Sequence, residues 1–181
     1  MFSPDRSLTT HVFTDGSVDI NDAKYAKNGG CGVFFPNDSH ANADKSVHIK
    51  EQPTNNKCEL MAIKLAIIEW HDNDNFKNKR ELIIHTDSLL CVNTFTNWAH
   101  KWAANNWCKS DGKEIKNKDL IEEIYYMIYG NDLNKTIRFE HVRAHQKRPP
   151  LNSPQYFEWF GNNTADKLAK HAITMNNIKK K

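Results

Sequence analysis

The sequence lacks a CxxC pair. Its four cysteines, Cys31, Cys58, Cys91 and Cys108, are widely separated, so zinc and dithiol redox chemistry are not expected, and reduced thiols inside a cell are the default. No apolar core follows Met1-Phe2-Ser3-Pro4-Asp5-Arg6, and no stretch approaches membrane-spanning length. The expected location is intracellular, cytoplasm and nucleus being indistinguishable, with no membrane association. A strong charge imbalance is also missing. The formal net charge of +3 is too small to establish a nucleic-acid partner by itself. Internal repeats and signs of a second domain are absent. What remains is 181 residues, 39% hydrophobic and 26% charged, which suits one globular domain whose core needs no disulfide or structural metal.

The clearest stretch is Glu81-Leu82-Ile83-Ile84-His85-Thr86-Asp87-Ser88. An unbroken apolar run marks a strand buried on both faces, here a central parallel one. A carboxylate at its end lies where open α/β sheets bind ligands, although Asp87 could equally cap the helix that follows. Before it, residues 11–17, 30–35 and 46–50 read as strands of an antiparallel meander. Residues 55–71 read as a helix with Leu60, Ile63, Ile67 and Trp70 inward, and Asn56 with Glu59 resembles a capping box. Helices are expected at 88–97 and 119–129, a last strand at 136–142, a loop at 143–160 and a final helix from 162 to about 175. This order gives an α/β mixed sheet with crossover helices.

Four acids stand in unusual places: Asp15 within a strand, Glu59 on a core-side helical face, Asp87 at a strand end, and Asp166 beside Ala165, Leu168 and Ala169. Each alone has an ordinary structural reading, such as a turn or a helix first turn. If they meet, they repel and raise one another's pKa unless a cation joins them. Oxygen ligands without clustered Cys or His select Mg²⁺ or Mn²⁺, and paired ions suit phosphoryl transfer. Spacing alone does not show that they converge.

The segments Thr14-Asp15-Gly16-Ser17, Thr54-Asn55-Asn56-Lys57-Cys58-Glu59-Leu60, His85-Thr86-Asp87-Ser88 and Gly161-Asn162-Asn163-Thr164-Ala165-Asp166-Lys167-Leu168-Ala169 resemble, in order and context, the Asp-Glu-Asp-Asp motifs of type 1 ribonuclease H. The resemblance covers about residues 10–175. It implies a ribonuclease H-like fold, a five-stranded mixed sheet flanked by helices, with a short arm at 1–9 and a basic tail at 176–181. It also implies metal-dependent endonucleolytic cleavage of the RNA strand of RNA/DNA hybrids, leaving 5′-phosphate and 3′-hydroxyl ends. Two Mg²⁺ ions per site are implied, with Mn²⁺ as a substitute. Asp15 would bridge both ions, Glu59 and Asp87 would serve one, and Asp166 the ion that activates water. His145, in Val142-Arg143-Ala144-His145, matches the family's mobile histidine for proton transfer or product release; His141 is the weaker candidate.

Trp98, Trp102 and Trp107 lie among Lys101, Lys109, Lys113, Lys116 and Lys118, a pattern compatible with a phosphate-tracking groove or with core tryptophans beside solvated lysines. The segment resembles the basic protrusion of the cellular enzymes. By that resemblance Trp98, Trp102 and Ser110 line a DNA-strand channel, Thr54 and Asn117 hold a DNA phosphate, and Asn21, Asn55 and Asn56 contact RNA 2′-hydroxyls. The implied partner is the hybrid alone, bound by a monomer. Three departures stand out. Gln52 occupies a position where the family often has arginine. The stretch from Gln146 to Phe160 is long, and its aromatic residues suit either a lid or a cover for the core edge. A separate hybrid-binding module at the amino end is not expected.

Overall fold

Strand β4 (Glu81–Thr86) is buried from Leu82 onward and is paired in parallel on both sides. The computed structural model describes residues 8–19, 28–36, 43–130 and 135–178. Around β4 it arranges β1 (Thr9–Asp19), β2 (Asn28–Phe34), β3 (Lys45–Ile49) and β5 (Thr136–His141) in one five-stranded sheet of order β3-β2-β1-β4-β5. The β1/β2 and β2/β3 pairs are antiparallel, so the sheet is mixed. The helices are α1 (Asn55–Asp72), α2 (Leu89–Asn93), α3 (Ala99–Ala104), α4 (Lys118–Tyr129) and α5 (Gln155–Ile178). No described helix is long and apolar enough to cross a membrane.

Alternation along β1 divides the core. Val12 joins Leu60, Ile63 and Ile67 of α1 and Leu82 and Ile84 of β4, whereas Phe13 joins Val142 and Ala165 of α5 in a second cluster. Two apolar faces are thereby covered, which is the condition for burying a parallel pair. All four cysteines are free, and only Cys108 among them is exposed.

Three local expectations need correction. First, α1 is capped by Thr54, whose Oγ1 accepts the Lys57 amide at 3.2 Å, rather than by an Asn56–Glu59 box. The Glu59 side chain is thereby left for other partners. Second, the helix expected to stop near residue 97 continues through a π turn, Thr94–Trp98, into α3. Third, α5 begins at Gln155, seven residues before the expected 162.

Gly161 sits within the early turns of α5 for a tertiary reason: a Cβ there would strike the Phe13 ring. The helix therefore tolerates glycine's entropic cost in exchange for close approach to β1. Gly161→Ala is expected to destabilise the protein. The gain in helix propensity is about 1 kcal/mol, while overpacking costs roughly 1–3 kcal/mol and more against a ring that cannot retreat. A lowered urea midpoint with unchanged slope is the expected readout.

Candidate active site

Register brings the first two acids together. Thr14 of β1 lies opposite Thr86 of β4, so the next residues stand side by side: Asp87 just past the end of β4, and Asp15 still within β1, paired with Gly32 of β2. Ser88, not Asp87, caps α2, its Oγ accepting the Cys91 amide at 3.3 Å; the carboxylate of Asp87 is thus not spent on the helix. Glu59 arrives from α1 because β1 and α1 touch backbone to backbone at Gly16, where any Cβ would collide with Glu59 N and Cys58 C. One oxygen from each of Asp15, Glu59 and Asp87 lies within 4.8 Å of the others.

The cluster is electrostatically costly as it stands. Burial, then the charges of Asp87 and Asp166, push Asp15 up to about 8. Burial, then Asp15 and Asp87, push Glu59 up to about 9. The Gly16 amide opposes both shifts by hydrogen bonding, but weakly. Glu59 Oε2 is buried with no hydrogen-bond partner. A carboxylate with an orphaned buried oxygen, grouped with two further carboxylates and with no sulfur or imidazole among them, fits a hard divalent cation.

Asp166 stands apart from this group. Its oxygens lie 2.7 and 2.8 Å from Lys170 Nζ, one helical turn on. It nonetheless lines a small recess with Asp87, His145, Asn162 and Asn163, and its charge reaches Asp15. Asn162 Nδ2 donates to Asp87 Oδ2 at 3.3 Å. The His141 ring meets the Asp87 carbonyl at 3.2 Å, which places it at the backbone of the site. His145 lies in the same recess with a left-handed backbone, φ 49°.

Asn162 and Lys170 did not figure in the sequence reading as site residues. Both stand four residues from Asp166, on its helical face, so the spacing carried the signal. Behind the site, His85 stacks between Phe13 and His11. Burial and then His11 lower its pKa to about 4.

The tryptophans separate. Trp107 is buried against Tyr125 and Tyr126. Trp98 and Trp102, 6.2 Å apart by ring centroid, line a groove of about 700 Å³ with Lys101, Lys109 and Ser110. Among the other expected substrate contacts, Thr54, Asn55 and Asn56 are exposed at the start of α1. Asn117 precedes α4 in a left-handed conformation, φ 56°, with no side-chain cap bond. Gln52 is exposed and also left-handed. Asn21 lies outside the described residues.

The RNase H family model matches residues 8–174 of the chain. A probable ribonuclease H of Acanthamoeba polyphaga mimivirus is 38% identical over 149 residues, covering 80% of this chain and 58% of that protein. The ribonuclease H of Schizosaccharomyces pombe is 32% identical over 165 residues, 90% of this chain and 52% of that protein. The chain thus spans about half the length of the curated relatives it matches. Among solved structures, LC9-RNase H1 superposes with TM-score 0.66 at 23% identity, over 95% of this chain and 75% of that one. LC11-RNase H1 in complex with RNA/DNA hybrid gives 0.60 at 20% identity, over 92% and 98%. At these identities the structural likeness shows the fold alone.

Proposed function

The chain belongs to the RNase H family, and from that premise we propose that it is a divalent-cation-dependent endonuclease that hydrolyses the RNA strand of RNA/DNA hybrids. The products are 5′-phosphate and 3′-hydroxyl ends. The observation that carries this reading is the meeting of Asp15, Glu59 and Asp87 within 4.8 Å, with a buried Glu59 oxygen left without a partner.

Asp15, Glu59 and Asp87 hold the cations, two Mg²⁺ per site with Mn²⁺ as substitute, and Asp166 completes the set from α5. When bound, such ions supply charge neutralisation, activation of water and stabilisation of the departing oxygen. The chain's own side chains do the rest. Asn162 orients the Asp87 carboxylate through its amide N–H. Lys170 offsets part of the charge on Asp166. His145, on the rim of the recess, moves a proton or eases product departure.

The substrate lies from this recess to the α3 groove. Trp98, Trp102 and Ser110 take the DNA strand there, with Lys101 and Lys109 drawing its phosphates. Thr54 and Asn117 hold a DNA phosphate, and Asn21, Asn55 and Asn56 meet RNA 2′-hydroxyls as donors and acceptors. Residues 10–175 form the catalytic unit, acting as a monomer.

A labelled RNA/DNA hybrid incubated with Mg²⁺ tests the reading directly. The RNA strand is expected to be cut while single-stranded RNA survives, and chelation is expected to stop the reaction. An intact RNA strand overturns it. Trp102→Ala is expected to raise KM for the hybrid about tenfold, in keeping with roughly 1–3 kcal/mol per aromatic contact, with kcat little changed. Steady-state kinetics at two salt concentrations check this; a kcat effect alone would contradict the assigned place.

A further inference from the structure

The first turns of α5 carry a row of aromatic residues that was expected in a loop. One side of the row is anchored to the sheet: Phe157 meets Phe13 at 5.3 Å and His85 at 5.9 Å between ring centroids. The other side faces the segment that follows β5. Trp159 Nε1 donates to the Gln146 carbonyl at 3.1 Å. Gln146 Nε2 in turn donates to the Arg143 carbonyl at 3.1 Å, closing a small ring of backbone around Ala144 and His145. Arg148 lies over the faces of both Trp159 and Tyr156, 5.7 and 5.9 Å from their centroids. Trp159 also lines the recess that holds His145 and Asp87.

This geometry explains how an exposed histidine keeps a left-handed backbone, φ 49°. Such a conformation is unusual for a residue with a Cβ and persists where surrounding contacts fix it. The segment itself has little burial to hold it: residues 143–148 are all exposed. A side chain that acts on a reacting group must be held by neighbours whose own placement is secure.

We infer that Trp159 is a positioning residue, its indole N–H pinning the backbone that presents His145 to the carboxylate site, with Arg148 clamped over its ring. The inference rests on the role proposed for His145 and extends it to a helix turn that touches no reacting atom.

The test uses Trp159→Phe, which keeps an aromatic ring and removes the donor, alone and combined with His145→Ala. Trp159→Phe is expected to lower kcat about tenfold, the scale of a small misplacement of a reacting group, with KM unchanged. In the His145→Ala background it is expected to change kcat less than about twofold, because residues acting through one another are not additive. Backbone ¹⁵N relaxation supplies a readout independent of cleavage: the order parameters of the 143–148 amides are expected to fall into the flexible range, below about 0.6, while those of α5 beyond 162 stay as in the wild type.

Independent effects in the double variant, a change confined to KM, or unaltered order parameters at 143–148 overturn the inference. Should the wild-type protein leave hybrids uncut, the proposed function fails on its own account. The relaxation result then still decides whether Trp159 holds the segment.

Discussion

Asp87→Asn is expected to reduce single-turnover cleavage of a hybrid by at least about 10³-fold, on the scale seen when a central catalytic group is removed. Its effect on hybrid affinity is expected to stay within a few-fold. The substitution preserves shape and removes one negative charge from a group of carboxylates whose oxygens lie within 4.8 Å. It also replaces an acceptor of the Asn162 amide with a group that can present a second N–H there. In the proposed binding mode the hybrid is held mainly by residues of the α3 groove and the start of α1, none of which the substitution removes, which is why binding should survive. His145→Ala, by contrast, removes a group proposed to assist proton transfer or product departure, and a loss of about 10²-fold is expected. Cleavage by Asp87→Asn within tenfold of wild type would show that the carboxylate cluster is not the reaction centre.

The second large effect concerns cations and pH together. Without divalent cation, the protein is expected to lose stability as pH rises from 7 to 9. Asp15 and Glu59 have folded pKa values of about 8 and 9 against ordinary values of 3.8 and 4.5. Over the interval between, the folded state binds protons that the unfolded chain has released, so raising the pH favours unfolding. Each proton so linked is worth about 1.36 kcal/mol per pH unit, a few degrees of melting temperature for a domain of this size.

His85 works in the opposite direction. Its folded pKa of about 4, lowered first by burial and then by His11, stabilises the fold above its ordinary 6.5 and loses that contribution on acidification. Between pH 7 and 9 that histidine is neutral in both states, and the carboxylates dominate. Mg²⁺ favours their charged forms, so it is expected to flatten the decline and to raise the melting temperature more at pH 9 than at pH 7. Melting curves with chelator and with Mg²⁺ at both values check this. A cation shift equal at the two pH values, or a chelated protein steadier at pH 9, would contradict the site.

Much of the site was legible because its parts are local. The Leu82 to Ile84 run reads as a strand buried on both faces, which puts Asp87 at the carboxyl end of a central strand. The Thr86–Thr14 register, by contrast, belongs to the folded sheet. The misplaced start of α5 has the opposite character. Gly161 looks like a helix terminator within its own neighbourhood, and only the Phe13 ring, far away in sequence, explains why a helix passes through it. Trp107 and Trp102 likewise share composition and surroundings in the sequence. One is core and the other lines a groove because of where α4 packs.

The sequence by itself determined the element order, the mixed sheet and the candidate acids, since periodicity and residue chemistry act over a few neighbouring positions. Only the tertiary structure decided that Asp15, Glu59 and Asp87 share a few ångströms while Asp166 turns to Lys170, and that an aromatic turn of α5 reaches the His145 segment. Those outcomes depend on register, on backbone approach at a glycine and on competition between distant partners, none of which is encoded in any one window of the chain.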